Sequence, residues 1–276
     1  MYDCFAFFNE LELLELRLHE LDGVVDKFVL VEATRTFQKK EKPLYFEQNK
    51  QRFAQFLPKI IHIVVDEYPS FFAKLRTPTA WDYDNHQKEQ ILRGLKDAKP
   101  DDWIVVSDLD EIPNPQKLKA ALGQPGIHVF RQRLFYYYLN CWIQDYQEPI
   151  QIYQGYKPWN GTVLLKMSDL KKVKTIKEAR NQRDKKPPQI HYIEEGGWHF
   201  SYIGGVERVI EKIEAYAHTE VNDKMFKVRE KMQELMQKGE DLFGRKITSK
   251  IIELDPTFPS YLLSHPDKYK DFLLKA

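Results

Sequence analysis

The chain has 276 residues, of which 42% are hydrophobic, so it can bury a substantial core in one large α/β domain or two small ones. Its 42 basic and 41 acidic residues give a net charge of +1, which provides no overall field for holding nucleic acid or an anionic membrane. Acidic residues interrupt the apolar N-terminus, and no uninterrupted apolar stretch of about 18 residues follows, so we expect neither a signal peptide nor a transmembrane segment.

The first half of the chain alternates between strand and helix patterns. Residues 2–8 (YDCFAFF) predict a buried strand, and Asn9 stands where a helix N-cap belongs, with Glu12 three residues later as in a capping box. One face of the helix that follows carries Leu11, Leu14, Leu18 and Leu21. Further strands are predicted at 27–33, 60–65 and 103–108, and further helices at 46–57 and about 84–98. This alternation favours a largely parallel sheet that is covered by helices on both sides.

Polar side chains stand at the carboxyl ends of these predicted strands. In parallel α/β sheets, ligands bind outside that edge. We therefore expect Asn9, Glu32, Asp66 and the acidic residues 108–111 to lie on one rim of the sheet.

The second half continues without a linker, so we expect a single domain spanning 1–276. A short helix at 116–122 precedes a long β-branched and aromatic stretch at 127–142, then a strand at 161–167 and C-terminal helices, one at about 222–237. Cys4 and Cys141 lie in apolar, strand-like surroundings, which predicts buried reduced thiols and a cytoplasmic protein.

A basic run at 171–186 carries eight basic and two acidic residues. A single-strand nucleic-acid site would place aromatic residues among such charges, and the run has none. We therefore predict a solvated loop, with a mobile flap over a diphosphate as a further alternative.

In the sequence VVSDLDEIPNP, residues 105–115, a predicted buried strand ends at three acidic residues, Asp108, Asp110 and Glu111. Hard carboxylate oxygens select Mg²⁺ or Mn²⁺, and such ions usually bridge to substrate phosphates. The alternative is an acidic region at the N-terminus of the next helix, where the helix dipole favours negative charge. The role of Glu111 is left open.

The preceding helix favours the first interpretation. Asp84, Lys88, Ile91 and Leu95 fall on one face, with Gln87 beside them. A face that is apolar at one end and charged at the other is buried throughout only if its polar end meets something polar. We therefore expect a cleft at that end, although local salt bridging within the core is the alternative.

A glycine-rich segment, EEGGWHFSYIGG at 194–205, is the second candidate for chemistry. Its four glycines permit unusual backbone angles and close approach to a ligand, and Trp198 and His199 lie between them. Beside a metal the imidazole of His199 is a credible ligand, although a lone histidine is more often part of the core. Glu194 and Glu195 are candidates for a general base.

These segments, together with VDKFVLVEATRTFQKKEKPLYF and AYAHTE, occur in an order and spacing that resemble glycosyltransferase family 17. The resemblance covers nearly the whole chain. It implies an α/β fold of the GT-A type, a UDP-sugar donor, Mn²⁺ or Mg²⁺, a glycan acceptor, and inversion at the anomeric carbon. N-acetylglucosamine is the best-known donor sugar of the family, and residues up to about 125 would form the nucleotide-binding part.

The resemblance also implies site residues. Asp110 would bind the metal directly, Asp108 would reach the ribose or a metal-bound water, and His199 would complete the metal shell. Lys88 stands where the family would have arginine, so it supplies charge without a bidentate fork. The expected donor-binding residues are Asn9, Glu10, Glu32, Gln87, Lys88, Asp108 and Trp198.

Sugar transfer also needs a base for the acceptor hydroxyl. Glu195 is the first choice because it adjoins the glycine-rich segment, and the competing candidates are Glu194, Asp145 and Glu148. The aromatic residues that could stack on sugars are Tyr146, Tyr156 and Trp159.

Two other classes of protein fit parts of the pattern. A haloacid-dehalogenase-like phosphohydrolase also ends a strand in Asp-x-Asp, but its motif continues with threonine or valine where this chain has Ile112. A non-catalytic protein that binds sugar or nucleotide is the other alternative.

Overall fold

The computed structural model describes residues 1–70, 75–147, 150, 152–185 and 190–275, and it confirms the predicted α/β class. Four parallel strands in the order β3-β2-β1-β4 form one half of the sheet. They are β1 (Tyr2–Phe7), β2 (Lys27–Ala33), β3 (Ile60–Val65) and β4 (Trp103–Val106). Because they run in the same direction, their carboxyl ends lie along one edge, as predicted.

The other half of the sheet is mostly antiparallel, so the sheet as a whole is mixed. From β4 the order continues through β8 (Trp159–Lys166), β6 (Ile127–Tyr136), β7 (Cys141–Asp145) and β11 (Thr248–Ile251). Short strands attach beside this path, namely β5 (Glu111–Pro113), β9 (Ile190–Ile193) and β10 (Gly197–Ser201). Strand β10 pairs with both β5 and β6, and this places the late chain beside the acidic cluster.

Helices cover both faces of the sheet. The α-helices are α1 (Leu11–Leu21), α2 (Tyr45–Gln48), α3 (Ala80–Glu89), α4 (Ile91–Gly94), α5 (Pro115–Ala121), α6 (Met167–Val173), α7 (Ile176–Asn181), α8 (Gly205–Ala215), α9 (Arg229–Lys238) and α10 (Ser260–Ser264). Short 3₁₀ helices occupy Lys50–Phe56, Gln182–Asp184, Thr219–Val221, Lys224–Phe226 and Pro266–Phe272.

The alternation of side chains along β1 explains the two main cores. Cys4 points to the face that α4 covers, where it joins a buried cluster with Ile91. Phe5 and Phe7 point to the opposite face and pack with the leucines of α1. Each face is therefore closed by a helix whose apolar stripe the sequence predicts.

The start of α1 differs from the prediction. The helix begins at Leu11 with Glu10 in the capping position, and that residue forms no side-chain cap. The amide of Asn9 instead donates a hydrogen bond to Glu211 Oε2 at 2.7 Å. Glu12 is also engaged away from the helix start, in an ion pair with Arg208. A contact with the distant helix α8 therefore replaces the expected local cap.

Several element boundaries also differ from expectation. The helix predicted at about 84–98 is two helices, α3 and α4, and the long stretch 127–142 is split into β6 and β7. The basic run predicted as a loop is mostly helical over its described part, through α6, α7 and a 3₁₀ turn. Lys186, its last residue, lies outside the described residues.

Both cysteines are buried and free, as predicted. Among the described residues, we find no helix with the length and apolarity that a membrane crossing requires.

Candidate active site

The turn that carries the acidic cluster is held from beneath by Arg17 of α1. This fully buried guanidinium forms a bidentate pair with Asp3, at 2.6 and 2.8 Å, and donates to Ser107 Oγ. Its Nη1 atom also donates to the backbone carbonyls of Asp108, Leu109 and Glu111, at 2.9–3.1 Å. The arginine therefore satisfies the carbonyls of the turn and fixes its shape.

The next helix, α5, does not use the acidic cluster as its cap. Asn114 caps it instead, accepting hydrogen bonds at Oδ1 from the backbone N–H groups of Gln116 and Lys117. The capping role at the start of α5 therefore belongs to Asn114 and not to the acidic cluster.

Glu111 is the structural member of the cluster. Only 1% of its side chain is exposed, and Arg180 of α7 binds it through two contacts of 2.6 and 3.0 Å. Trp159 Nε1 and the backbone N–H of Asp108 donate to the same carboxylate. Burial opposes ionisation, but Arg180 outweighs it and lowers the pKa of Glu111. Glu111 thus ties α7 and β8 to the turn.

Asp108 extends from the turn between two cations. Arg180 Nη2 lies 2.9 Å from its Oδ2, and Lys88 Nζ lies 3.3 Å from its Oδ1. Burial works against its charge, but the two cations hold the pKa of this carboxyl well below its usual range. Its side chain is still 39% exposed, so a ligand in the cleft can reach it.

Asp110 faces a third cation and a histidine. Lys212 Nζ of α8 lies 2.9 Å from Asp110 Oδ2, and His199 Nε2 of β10 lies 3.6 Å from Oδ1. Burial raises the pKa of the carboxyl, but Lys212 and His199 reverse the effect and hold it below its usual range. Asp110 is therefore ionised, and it faces the two side chains from opposite oxygens.

The polar end of α3 meets the cluster, as its pattern predicts. Ile91 and Leu95 are buried in the core, whereas Lys88 reaches out to Asp84 at 3.0 Å and to Asp108 at 3.3 Å. Burial raises the pKa of Asp84, although Lys88 opposes the shift. The charged end of this helix forms one wall of a cleft.

Strand β10 forms the opposite side through its alternation. His199 and Ser201 face the cleft, while Trp198 and Phe200 pack into a separate apolar core. Gly197 makes the pairing with β5 possible, because a Cβ at that residue would lie 2.2 Å from the carbonyl oxygen of Ile112. At Gly197 the close approach is therefore to another strand rather than to a ligand.

The cleft itself has a volume of about 320 Å³ and is lined by five acidic and five basic side chains. The acidic ones are Glu10, Asp84, Asp108, Asp110 and Glu111. The basic ones are Arg35, Lys42, Lys88, Arg183 and Lys212. The formal charges of the lining residues thus cancel, and the carboxylates of the cluster already have counter-ions from the chain itself.

The structure brings together only some of the residues that the sequence proposes. Glu10, Gln87, Lys88, Asp108, Asp110 and His199 line the cleft. Glu32 does not, because its fully buried carboxylate accepts from the backbone of Phe46 and contacts His62. Trp198 donates to the carbonyl of Thr257 within the apolar core. Asn9 lies beside the cleft, bound to Glu211.

Three of the four proposed base residues lie outside the cleft lining. Glu195 is half exposed and pairs with Lys117 at 3.6 Å, and Glu194 pairs with Arg131. Asp145 pairs with Lys157 at 2.7 Å. Glu148 lies outside the described residues.

Asp145 belongs to a second, larger depression of about 1080 Å³ beside α9 and β11. Its charged groups include the pairs Asp145–Lys157 and Arg245–Asp241, which neutralise each other. The smaller cleft is the better candidate for the active site, because it alone contains the acidic turn.

Three aromatic residues were proposed for sugar stacking, and only Trp159 lines the cleft. Tyr146 and Tyr156 are buried, and the hydroxyl of Tyr146 donates to the carbonyl of Pro158. Trp81, which the sequence did not single out, also lines the cleft and is 47% exposed. Its ring packs edge-on against His218, with centroids 4.7 Å apart.

The residues around Asp110 fit a partly hydrated divalent ion. Two ligands that each lie about 2.1 Å from one ion can be up to about 4.2 Å apart, and Asp110 Oδ1 and His199 Nε2 are separated by 3.6 Å. Nε2 is the ring nitrogen of His199 that faces the carboxylate. The other ring nitrogen, Nδ1, is buried without a hydrogen-bond partner among the described residues. The described residues contain no group of three or more His, Cys, Asp or Glu side chains placed to enclose a metal, so water and phosphate would supply the other ligands.

Three important residues escaped the sequence analysis, namely Arg17, Arg180 and Lys212. Arg180 and Lys212 bind carboxylates 69 and 102 residues away, and Arg17 reaches turn carbonyls 91 to 94 residues away. For Arg180 the sequence does offer one signal. It lies in the basic run 171–186, and a run with excess positive charge is a plausible source of counter-ions for the acidic cluster.

Comparison with known proteins gives a match along the whole fold. The sequence model of glycosyltransferase family 17 matches residues 1–275. A part of the chain is also similar to the β-1,4-mannosyl-glycoprotein 4-β-N-acetylglucosaminyltransferases of Homo sapiens and Rattus norvegicus. Each is 29% identical over 111 residues, which covers 38% of this chain and 20% of the relative. The match thus spans about a fifth of the length of these relatives.

Solved structures show weaker likenesses. HddC from Yersinia pseudotuberculosis has a TM-score of 0.38 and 13% identity, covering 70% of this chain and 90% of its own. An active-site mutant of LgtC has a TM-score of 0.35 and 14% identity, covering 70% of this chain and 72% of its own. At TM-scores this low, neither structure informs the function.

Proposed function

The chain belongs to glycosyltransferase family 17, and from this premise we propose that it transfers a sugar from a UDP-sugar to a hydroxyl of a glycan acceptor, with inversion and with the help of Mn²⁺ or Mg²⁺. N-acetylglucosamine is the proposed donor sugar, because the similar human and rat proteins are named as N-acetylglucosaminyltransferases. The GT-A arrangement that the resemblance implies is part of the same proposal.

The observation that carries the proposal is the charge pattern of the cleft. Acidic and basic lining residues are equal in number, and Arg180 behind the lining adds one positive charge, so the cleft is close to neutral. The diphosphate of a nucleotide-sugar carries two negative charges, and a divalent cation balances them. A neutral complex of diphosphate and cation thus suits a cleft whose own charges nearly cancel, because little uncompensated charge is buried.

The residues of the chain have separate tasks in this proposal. Asp110 and His199 would hold the ion, and a bound ion would act as a Lewis acid that stabilises the charge developing on the leaving diphosphate. Lys88 and Lys212 supply further positive charge in the same cleft. Arg180 and Glu111 keep the turn in place, so that Asp108 presents its exposed side toward the donor.

The acceptor hydroxyl must lose a proton to a group within hydrogen-bond reach. Two carboxylates line the cleft without belonging to the turn, Glu10 and Asp84. We assign the proton transfer to this pair rather than to Glu195, which lies outside the lining of the cleft.

Calorimetric titration of UDP into the wild type, with and without Mn²⁺, tests the proposal. We expect Mn²⁺-dependent binding, which Asp110→Ala should abolish and the surface variant Asp101→Ala should preserve, since Asp101 contacts only Lys166 at the protein surface. A wild type that binds no UDP in the presence of Mn²⁺ would contradict the proposal.

A second experiment on the wild type tests whether the protein is an enzyme or a non-catalytic binding protein. UDP-N-acetylglucosamine incubated with the wild type and Mn²⁺ should release UDP, slowly by hydrolysis and faster with a suitable acceptor. Binding without any release of UDP would favour a non-catalytic protein instead. Release of inorganic phosphate from phosphate esters would favour the phosphohydrolase.

A further inference from the structure

The ammonium group of Lys212 lies beside the carboxylate that is proposed to bind the metal. Its Nζ atom lies 2.9 Å from Asp110 Oδ2, on the carboxylate that is the most direct metal ligand in the proposed function. A divalent ion at Asp110 Oδ1 would lie close to this ammonium, and two cations so placed repel each other. The lysine and the metal therefore compete for the charge of one aspartate.

A second carboxylate stands ready for the same lysine. Glu10 Oε1 lies 3.5 Å from Lys212 Nζ. Glu10 is itself oriented by the backbone N–H of Asn9, which donates to its Oε2 atom at 3.2 Å. Lysine has a flexible four-carbon stem, so a small rotation exchanges one partner for the other.

The surroundings leave room for this movement. About a quarter of the Lys212 side chain is exposed, and it lies at the lining of the cleft with the ring of Tyr202 5.7 Å from its ammonium. Its helix α8 is anchored independently of it, because Val209 and Ile213 are buried in a core with residues of α9. The side chain can thus move while the helix keeps its place.

We propose that Lys212 is an exchangeable counter-ion, which neutralises Asp110 in the empty cleft and passes to Glu10 and the donor diphosphate when a divalent cation binds Asp110. This inference rests on the proposed function, since it needs a diphosphate and a metal in the same cleft. Metal alone has to displace the lysine, whereas a diphosphate offers the released ammonium a new partner. Metal and UDP therefore strengthen each other's binding, and this coupling acts equally in both directions.

Binding of Mn²⁺ in solution, followed by electron paramagnetic resonance, tests the exchange without any catalytic readout. For the wild type we expect weak binding of Mn²⁺ alone and binding at least about tenfold tighter when UDP is present, as expected for typical coupling between two ligands. For Lys212→Met we expect Mn²⁺ alone to bind about tenfold tighter than it binds the wild type, and the further gain from UDP should be smaller than in the wild type because only the direct contact between phosphate and metal remains.

Two further variants complete the design. Glu10→Gln removes the second partner of the lysine, so Mn²⁺ alone should bind more weakly than in the wild type, which is opposite to the effect of Lys212→Met. Lys227→Met is the matched control, because Lys227 contacts Glu214 and Asn222 outside the cleft. Circular dichroism checks that each variant is folded, and Glu10→Gln keeps the test decisive if Lys212→Met is not.

The outcomes separate this inference from the proposed function. Unchanged or weaker binding of Mn²⁺ alone by folded Lys212→Met, in a protein whose wild type binds Mn²⁺ and UDP together, would overturn the exchange and leave the proposed function intact. A wild type that binds no UDP at any Mn²⁺ concentration would overturn both.

Discussion

Arg180 and Glu111 form a two-pronged ion pair, in which Nη1 lies 2.6 Å from Oε2 and Nη2 lies 3.0 Å from Oε1. The pair explains the member of the acidic cluster that has no place in the proposed donor chemistry. It also connects helix α7 with the turn, because the same guanidinium reaches Asp108. The acidic cluster therefore consists of one structural carboxylate and two that face the cleft.

The first prediction concerns this pair. Arg180→Met should lower the free energy of unfolding by about 3–5 kcal/mol, because it leaves Glu111 buried without its counter-ion. Lys177→Met on the same helix should change stability by less than about 0.5 kcal/mol, as expected for a surface substitution. Chemical denaturation measures both. If the two variants were equally stable, the pair would contribute nothing to the fold.

The second prediction concerns Arg17 beneath the turn. Arg17→Met removes one donor from each of the three turn carbonyls and leaves Asp3 buried without its counter-ion, so we expect a loss of at least about 3 kcal/mol. Adding Asp3→Asn should recover part of the stability, since it removes the uncompensated charge, without recovering UDP binding. Recovery of UDP binding in the double variant would show that the turn keeps its shape without the arginine.

The third prediction ranks the two carboxylates that could accept the proton. Burial raises the pKa of Asp84 above its ordinary value, which suits a group that accepts a proton, whereas Glu10 is the carboxylate proposed to receive Lys212. Asp84→Asn should therefore lower the turnover number by at least about a hundredfold, and Glu10→Gln should have a smaller effect. Initial rates of UDP release measure both, with Glu195→Gln as the control that should stay near wild type. A larger loss in Glu10→Gln would reverse the assignment.

The fourth prediction is a pH dependence of stability at Glu15. Its side chain is mostly buried and contacts Arg52 and Lys268, which joins α1 to the C-terminal segment. Burial opposes its ionisation, but the contacts with Lys268 and Arg52 lower its pKa below the ordinary value of 4.5. The pKa of Glu15 is lower in the folded state than in the unfolded chain. The stabilisation is therefore complete above the unfolded value of 4.5 and is lost as the pH falls through the folded pKa.

The measurement is the difference in unfolding free energy between the wild type and Glu15→Gln. At pH 7 we expect a difference of about 1 kcal/mol, which should shrink toward zero in strongly acidic solution. A difference that stays constant over the same pH range would show that the charge of Glu15 does not stabilise the fold.

The parts of the structure that follow from local pattern could be predicted from the sequence. The strands β1, β2 and β4 are mostly buried apolar runs and β3 is a half-buried one, and the stripe that runs from Asp84 to Leu95 indicates both a core face and a cleft. Such features depend on residues a few positions apart. The prediction of the N-cap at Asn9 failed because a contact with Glu211, 202 residues later, competes for the same amide.

The counter-ions of the acidic turn could not be predicted for the same reason. The residues show that the carboxylates need a positive charge, but nothing in one sequence indicates that Arg180 and Lys212 supply it across 69 to 102 residues. A metal was therefore the simplest prediction, and the structure adds the lysine and the arginine to the account. Glu195 is predicted as the general base because it is near His199 in sequence. Neighbouring residues of an extended segment need not share a face, however, and Glu195 lies outside the cleft lining.

The distribution of these charges along the chain has a consequence for synthesis. The turn carboxylates Asp108, Asp110 and Glu111 leave the ribosome well before Arg180 and Lys212, their partners across the cleft. A nascent chain that ends near residue 125 already contains all four parallel strands, yet its turn carries like charges with most of their counter-ions missing. The ion pairs that complete the turn therefore form only after helices α7 and α8 have been made.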